Sequence, residues 1–184
     1  MENLSNRRVA ILTEEGFEQV ELTSPKAALE AAGATVHVIS PNKNDKIKAW
    51  DQTNWGIEIT VDKKLNEVSP DDYDALVLPG GVLNPDKLRL NKDAIAFASA
   101  FLDEGKTVAA ICHGPQLLIE TGLIKGRRLT SFPSLHTDLV NAGAEWVDEE
   151  VVVDNGLVTS RTPADLDAFN QKTIEEIAEG IHAE

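Results

Sequence analysis

Short, continuous apolar runs separated by segments with helical spacing are the feature that most constrains the fold of this chain. Four such runs end at Leu12, Ile39, Leu78 and Ile111. Because a strand covered on both faces needs no polar alternation, these runs are typical of a parallel sheet between two helix layers. Strands that alternate with helices imply right-handed βαβ units. We therefore predict an α/β fold with a doubly wound, mostly parallel sheet sandwiched by helices.

The predicted elements follow one another without a linker, a repeat or a low-complexity segment, so we expect a single domain over residues 1–184. The predicted helices are Val20–Ala32, Asp93–Glu104, Pro115–Thr121, Leu135–Ala142 and Pro163–Ile181 with Thr162 as its N-cap. The predicted strands are Arg8–Thr13, Thr35–Ser40, Asp74–Leu78, Thr107–Ile111, Leu129–Ser131, and a hairpin of Val151–Asp154 and Leu157–Ser160 around Asn155-Gly156. Residues 47–61 are predicted as extended pieces of a meander.

Composition excludes several classes of function. The net charge of −14 argues against nucleic acid and anionic membrane surfaces as partners, because phosphate groups repel such a field. No apolar run approaches the ~20 residues that span a bilayer, and the start lacks the pattern of a signal peptide. A single cysteine allows no internal disulfide, so we expect a cytoplasmic protein. No zinc-site spacing or phosphate-binding glycine loop is present, so we expect no metal and no cofactor.

Three chemically marked segments follow predicted strands. They are Glu14–Glu18 after the first strand, Gly80-Gly81 after the middle one, and Cys112-His113-Gly114 after the strand that ends at Ile111. Each also has an ordinary interpretation, as a solvated loop, a tight turn or a buried filler cysteine. Ligands of open α/β sheets bind beyond the carboxyl ends of the strands, where these segments should meet. Their convergence favours a functional site.

The junction at Cys112 matches the requirements of a nucleophile on a sharp strand-to-helix turn. Ala110 and Gly114, two positions before and after it, are small enough for the backbone to bend. We expect the helix that follows to lower the pKa of the thiol. The N–H groups of His113 and Gly81 are candidates for an oxyanion hole.

An acidic partner for the thiol is expected from the segment after the first strand. We assign this role to Glu18, as a protonated acid that exchanges a proton with the sulfur. Because carboxylates resist burial, the pKa of such a group should be raised. Arg161, by contrast, is expected to make a structural or subunit contact.

Four strings carry a resemblance to a known family: Phe17-Glu18-Gln19-Val20-Glu21-Leu22, Leu78-Pro79-Gly80-Gly81, Ala110-Ile111-Cys112-His113-Gly114-Pro115-Gln116 and Ser160-Arg161-Thr162-Pro163-Ala164-Asp165-Leu166. They resemble the PfpI-type intracellular cysteine protease family, within the parkinsonism-associated deglycase superfamily, over roughly Val9 to Ile177. The resemblance implies a flavodoxin-like fold, similar to class I glutamine amidotransferases, and a homodimer or a ring of dimers.

The resemblance also implies roles for individual residues. Cys112 would be the nucleophile, with His113 beside it and Glu18 hydrogen-bonded to the thiol. In PfpI-type proteins the acidic partner of the histidine comes from a neighbouring subunit, which here corresponds to Asp86 supplied in trans. Asp86 is an aspartate where some relatives carry the longer glutamate.

Several activities are compatible with these residues. The elbow also resembles that of glutamine amidotransferases, but the only downstream candidate for their His-x-Glu pair is His136-Thr137-Asp138, and no part of these 184 residues resembles a synthetase domain. Within the family, the first hypothesis is a stress-protective hydrolase acting on small reactive carbonyls or glycated proteins, of the glyoxalase or deglycase type. The alternatives are an intracellular cysteine peptidase, or a redox-sensing stress protein or chaperone with little turnover. Short turns at the strand ends favour a substrate of two or three carbons over an extended peptide.

Overall fold

The computed structural model describes residues 2–182 of the chain. Its strands are β1 (Arg8–Leu12), β2 (Thr35–Ser40), β3 (Lys46–Asp51), β4 (Asn54–Thr60), β5 (Lys63–Lys64), β6 (Ala75–Leu78), β7 (Thr107–Ile111), β8 (Arg128–Leu129), β9 (Glu145–Trp146), β10 (Val151–Asp154) and β11 (Leu157–Ser160). Its α-helices are α1 (Gln19–Ala31), α2 (Leu83–Leu88), α3 (Lys92–Asp103), α4 (Pro115–Thr121), α5 (His136–Asn141) and α6 (Leu166–Glu179). Across residues 2–182, no helix combines the length and apolar character needed to cross a membrane.

A seven-stranded sheet in the order β10-β11-β7-β6-β1-β2-β5 forms the centre of the fold. All its neighbouring strands are parallel except β10 and β11, which form an antiparallel hairpin. The predicted α/β class and the mostly parallel sheet are therefore confirmed. Because β7, β6 and β1 are adjacent, their carboxyl ends lie side by side at one edge, where a doubly wound sheet binds ligands.

Successive residues of the central strands point into two different cores. In β1, Val9 and Ile11 belong to one apolar cluster, whereas Ala10 and Leu12 belong to the other. The first cluster is closed by α1 and α6, and the second by α3 and α4. This explains why the strands read as continuous apolar runs, since a side chain on either face is covered by helices.

Several boundaries and small elements differ from the predictions. The last helix begins at Leu166 after a 3₁₀ turn, Pro163–Asp165, and ends at Glu179. Thr162 is the N-cap residue of that turn, ahead of Pro163 as predicted, but its side chain makes no capping hydrogen bond. The predicted meander is a separate β3–β4 hairpin. The helix α2, directly after the Gly80-Gly81 turn, was not predicted.

Candidate active site

Cys112 sits at a strained turn between β7 and α4. Its backbone φ is +62°, a left-handed conformation that costs a non-glycine residue about 1–2 kcal/mol. The turn leaves no room for a side chain at Gly114, where a Cβ would collide with the carbonyl oxygen of Leu78 and lie 2.9 Å from that of Ile111. The N–H of Cys112 donates to the Ser160 carbonyl at 3.0 Å, which ties the turn to β11. The predicted elbow geometry is thus present, and Cys112 is only 7% exposed.

The Gly80-Gly81 turn at the end of β6 packs directly against this elbow. A Cβ on Gly80 would lie 2.8 Å from the Cβ of Cys112 and 2.9 Å from the His113 nitrogen. Asn84, fully buried in α2, fixes the turn by donating through Nδ2 to the carbonyls of Pro79 at 3.0 Å and Gly80 at 3.1 Å. Its Oδ1 accepts the N–H of Glu14 at 2.6 Å and so joins the ends of β6 and β1.

The acid beside the thiol is Glu21, not Glu18 as predicted. Glu21 lies in the first turn of α1, is fully buried and interacts with the Cys112 side chain. Its Oε2 accepts the Gly80 N–H at 2.9 Å, and its buried Oε1 has no directed hydrogen bond within residues 2–182. Glu18 is the N-cap residue, one helical turn earlier, and its Oε1 accepts the Gln52 N–H at 3.1 Å. Residues three apart share a helix face but lie about one turn apart along the axis, so the Glu21 carboxyl is carried to the sulfur and that of Glu18 to Gln52.

Burial controls the protonation of Glu21. Removal from water raises its pKa to about 8, and the neighbouring charge of Glu18 adds to the shift. The hydrogen bond from the Gly80 N–H and the proximity of the Cys112 thiol and of the Gly81 N–H lower the pKa and only partly offset burial. At neutral pH the carboxyl is therefore mostly protonated, and the predicted raised pKa applies to Glu21 rather than to Glu18 alone. Burial raises the pKa of Glu18 as well.

The pKa of the Cys112 thiol is raised, contrary to the prediction. Burial is the main cause, and a negative charge on Glu21 adds to it, whereas the N–H groups of Gly81 and His113 lower the pKa. The N–H of Gly114, just before α4, donates to the Ile111 carbonyl at 2.8 Å and not to the sulfur. The resting site is therefore a thiol beside a carboxylic acid, and the thiolate forms when a neighbouring group takes its proton.

His113 is the group placed to take that proton. Its Nδ1 lies 3.2 Å from the Cys112 sulfur. Burial lowers the pKa of the imidazole, so the ring is neutral and free to accept a proton near pH 7. The ring stacks on Phe132 at a centroid distance of 4.7 Å and an interplanar angle of 23°. Its Nε2 lies 3.3 Å from the hydroxyl of Ser134.

The other predicted residues occupy different positions. The N–H groups of Gly81 and His113 both lower the pKa of the Cys112 thiol, so these two predicted oxyanion-hole donors lie near the sulfur. Asp86 is exposed on α2 and makes no hydrogen bond or ion pair with His113 within residues 2–182. Arg161 has the structural role that was expected, since it binds the buried Asp165 at 2.9 Å and Asp148 at 2.8 Å.

An open cavity of about 470 Å³ leads to the thiol. Its walls come from β3, the start of α2 and the segment after β8, and they are mostly apolar. The lining residues are Gly16, Glu18, Glu21, Trp50, Gln52, Gly81, Val82, Leu83, Cys112, His113, Phe132 and Pro163. The volume falls within the range of roughly 300–1,000 Å³ that is typical of ligand pockets. The cavity is larger than the short turns at the strand ends suggested, since a carbonyl compound of three carbons would fill only a small part of its volume.

A group of potential metal ligands lies away from this cavity. Glu176, Glu179 and His182 each place one ligand atom within 4.8 Å of the others. His182 packs against Gly105, just before β7, at the edge of the sheet opposite to Cys112. Its Nε2 lies 3.4 Å from Glu176 Oε2, as in an ordinary His–Glu pair. The absence of a metal and of a cofactor stays a prediction.

Comparison with known proteins places this geometry in a family. The pattern of the DJ-1/PfpI family matches residues 7–176, which include every element of the site. The chain belongs to the DJ-1/PfpI family. The resemblance inferred from the four sequence strings is therefore confirmed.

Members of the DJ-1/PfpI family match nearly the whole chain. A Bacillus subtilis protein named as a candidate cysteine protease, YraA, is 43% identical over 92% of this chain and 97% of its own. A deglycase of Pyrococcus abyssi is 46% identical over 91% of this chain and 97% of its own. A solved two-domain protein of Anabaena variabilis, containing DJ-1/ThiJ/PfpI-like and ferritin-like domains, superposes with a TM-score of 0.87 and 38% identity. That match covers 93% of this chain but only 48% of the two-domain protein.

Proposed function

We propose that this DJ-1/PfpI protein is a cysteine hydrolase that acts on reactive carbonyls or on their adducts with protein side chains. The observation that carries the proposal is the convergence on one sulfur. The Glu21 carboxyl and His113 Nδ1 lie beside the Cys112 sulfur at the base of an open cavity, and the N–H groups of Gly81 and His113 lower the pKa of its thiol. Such a constellation combines a nucleophile, a proton acceptor, a proton donor and donors for an oxyanion.

The chemistry of a free α-ketoaldehyde such as methylglyoxal follows from these positions. His113 Nδ1 takes the thiol proton, the sulfur adds to the aldehyde carbon, and Glu21 gives its proton to the carbonyl oxygen, so that a hemithioacetal forms and Glu21 is left as a carboxylate. The Glu21 carboxylate then removes the proton from that carbon and returns it to the neighbouring carbon through an enediol, which leaves a lactoyl thioester. Water cleaves the thioester, so that methylglyoxal and water become lactate and the thiol is restored.

An adduct on a side chain enters the same route one step earlier. When methylglyoxal is attached to an amine as a hemiaminal, the sulfur displaces the nitrogen at the hydroxyl-bearing carbon. The amine leaves with the proton and the same hemithioacetal remains on Cys112. The cavity of about 470 Å³ supports this substrate class, because it can hold the side chain that bears the adduct. The name of the Pyrococcus relative also supports it.

Peptide hydrolysis is the second candidate, and two observations favour it. The Bacillus relative is named as a candidate cysteine protease, and the cavity is wide enough for a peptide side chain. The same thiol and histidine would then form an acyl-enzyme from a peptide carbonyl. In this reaction Glu21 has no carbon-bound proton to move, which separates the two candidates experimentally.

The test is steady-state consumption of methylglyoxal, with lactate measured as the product, alongside cleavage of fluorogenic peptides. We expect lactate formation by the native protein, none by Cys112→Ser, and a loss of about 10²–10⁴-fold in Glu21→Gln because the proton carrier is gone. The matched variant Glu30→Gln should retain activity within about threefold, since Glu30 is exposed on α1, pairs with Lys26 and does not line the cavity. Peptide cleavage without lactate would favour the peptidase. If methylglyoxal disappears equally fast with the native protein and with Cys112→Ser, it is only forming adducts with lysine and arginine, and the enzyme proposal is wrong.

The assembly and compartment are parts of the proposal. We propose a cytoplasmic homodimer, or a ring of dimers, in which Asp86 of a second subunit approaches His113. The exposure of Asp86 on α2 leaves it accessible to another copy. Sedimentation velocity of the native protein measures the assembly, and an active monomer would contradict a required residue in trans.

A further inference from the structure

We propose that Ser134 is a positioning residue for His113, which holds the ring through Nε2 while Nδ1 serves the thiol. The catalytic role of Ser134 rests on the proposed function. The contact between Ser134 and His113 does not depend on that function, because it concerns only the state of the ring and of the sulfur. With this contact, one chain supplies partners for both nitrogens of its own histidine.

The ring of His113 is fixed on three sides. Nδ1 lies 3.2 Å from the Cys112 sulfur, and Nε2 lies 3.3 Å from Ser134 Oγ. Phe132 stacks on the face of the ring at 4.7 Å. Rotation about the side-chain bonds would break at least one of these contacts, so the ring orientation is set by the segment that carries Phe132 and Ser134.

That segment is itself attached to the elbow. The N–H of Phe132 donates to the carbonyl of Cys112 at 2.8 Å, so the segment and the nucleophile move together. Ser134 lies in a 3₁₀ turn, Pro133–Leu135, where the N–H of Leu135 donates to Phe132 at 3.0 Å. Leu135 is buried in the core and anchors the turn. The Ser134 hydroxyl therefore approaches the ring from a rigid support.

A hydroxyl at Nε2 suits a histidine that must begin the reaction neutral. To accept the thiol proton at Nδ1, the neutral ring must carry its own proton on Nε2, and Ser134 Oγ can accept that N–H. When the S–H bond breaks and the Nδ1–H bond forms, the same Nε2–H remains bonded to the hydroxyl. A carboxylate at this position would instead favour the imidazolium and raise the pKa of the ring. Ser134 adds no charge, in keeping with the lowered pKa of His113.

This arrangement competes with the residue expected in trans. Nε2 carries one hydrogen, so Ser134 and Asp86 of a second subunit cannot both hold it fully. The contact seen within the chain assigns that nitrogen to Ser134. An assembled protein in which Asp86 replaces the hydroxyl would give a different ring state.

The experiment compares Ser134→Ala with Ser134→Thr, which keeps the hydroxyl, and with Thr137→Ala as a matched exposed control in α5. Two readouts are independent of any substrate. One is the ¹⁵N chemical shifts of the His113 ring, which report the tautomer. The other is the rate of Cys112 alkylation by iodoacetamide as a function of pH. Asp86→Asn is measured in parallel.

We expect Ser134→Ala to lower the population of the Nε2–H tautomer and to slow alkylation about fivefold at neutral pH, the effect of one lost hydrogen bond. Ser134→Thr should restore both values, and Thr137→Ala should match the native protein. Native values in Ser134→Ala would overturn the proposal. A tautomer change in Asp86→Asn but not in Ser134→Ala would assign the nitrogen to the second subunit. Failure to turn over methylglyoxal would remove the proposed function and leave the ring assignment standing.

Discussion

The Glu21 carboxyl and the Cys112 thiol face each other at the carboxyl edge of the sheet, with the Gly80 N–H holding the carboxyl in place. Glu21 comes from the first turn of α1, Gly80 from the end of β6 and Cys112 from the elbow after β7. Three elements that are distant in sequence thus build one proton-transfer site. The acid keeps its proton because it is buried, and the sulfur loses its proton only through a neighbour.

Glu21→Gln is expected to stabilise the fold at alkaline pH. The pKa of Glu21 rises from 4.5 when unfolded to about 8 when folded, so the unfolded chain releases its proton first. Stability is therefore lost as the pH rises between these values, and glutamine removes this loss. Urea unfolding should show Glu21→Gln more stable than the native protein by about 2–4 kcal/mol at pH 8, with a smaller gap near pH 5. A gap that does not change with pH would contradict the buried, protonated acid.

The left-handed backbone of Cys112 predicts an unusual order of stability between two variants. At φ +62° an alanine is strained, whereas a glycine is not. The Cys112→Gly protein should therefore be more stable than the Cys112→Ala protein by about 1 kcal/mol. Ala110→Gly, in β7 nearby, is the control and should lose about 1 kcal/mol because its backbone is an ordinary strand. Thermal unfolding measures all three. Greater stability of Cys112→Ala would rule out the strained elbow.

The close approach of Gly80 to the elbow predicts a severe effect of one methyl group. A Cβ at this position would collide with the Glu21 carboxyl and lie 2.8 Å from the Cβ of Cys112. Gly80→Ala should therefore lower the rate of Cys112 alkylation at least about tenfold, by displacing the thiol from its partners. Gly122→Ala is the control for general strain, because its added Cβ would meet nothing within 4 Å. Alkylation of Gly80→Ala at the native rate would show that the turn accommodates the methyl group without displacing the thiol, and the prediction would be wrong.

Arg161→Ala should destabilise the protein mainly above acidic pH. Burial alone would raise the pKa of Asp165, but hydrogen bonds from Arg161 more than offset this and lower it. The stabilisation is therefore present at neutral pH and is lost as the pH falls below the ordinary carboxyl range. We expect a loss of about 2–3 kcal/mol at pH 7, where the buried carboxylate is left unpaired. Arg128→Ala, which breaks an exposed pair with Glu149, should cost under about 1 kcal/mol. Equal effects of the two variants would contradict this assignment.

The main sheet and the elbow could be predicted because their signals are local. Each central strand is a short apolar run, and Cys112 lies between two small residues at the end of one. Glu21 also carried a local signal that was not used. It shares the buried stripe of α1 with Leu22, Pro25 and Leu29, where an acidic residue indicates a buried function rather than a solvated helix start.

Other parts of the site depend on contacts that no local pattern encodes. The helix α2 has six residues and contains Pro85, so its periodicity is too short to detect. The polar side chain of Asn84 can be buried because it forms hydrogen bonds with the turn before it and with the end of β1. Ser134 reaches His113 from 21 residues further along the chain, through a turn whose position is set by the core. Such residues become visible only when the packing of the sheet and its loops is known.

Cys112 is the single cysteine of the chain, and it sits where the start of α1, the end of β6 and the elbow after β7 meet. Chemical labelling of this protein therefore needs no engineered cysteine to follow its conformational dynamics. With Cys112 only 7% exposed, labelling by a bulky maleimide requires an opening fluctuation, whereas a small reagent can enter through the cavity. The ratio of the maleimide rate to the small-reagent rate therefore reports how often the native structure opens around Cys112.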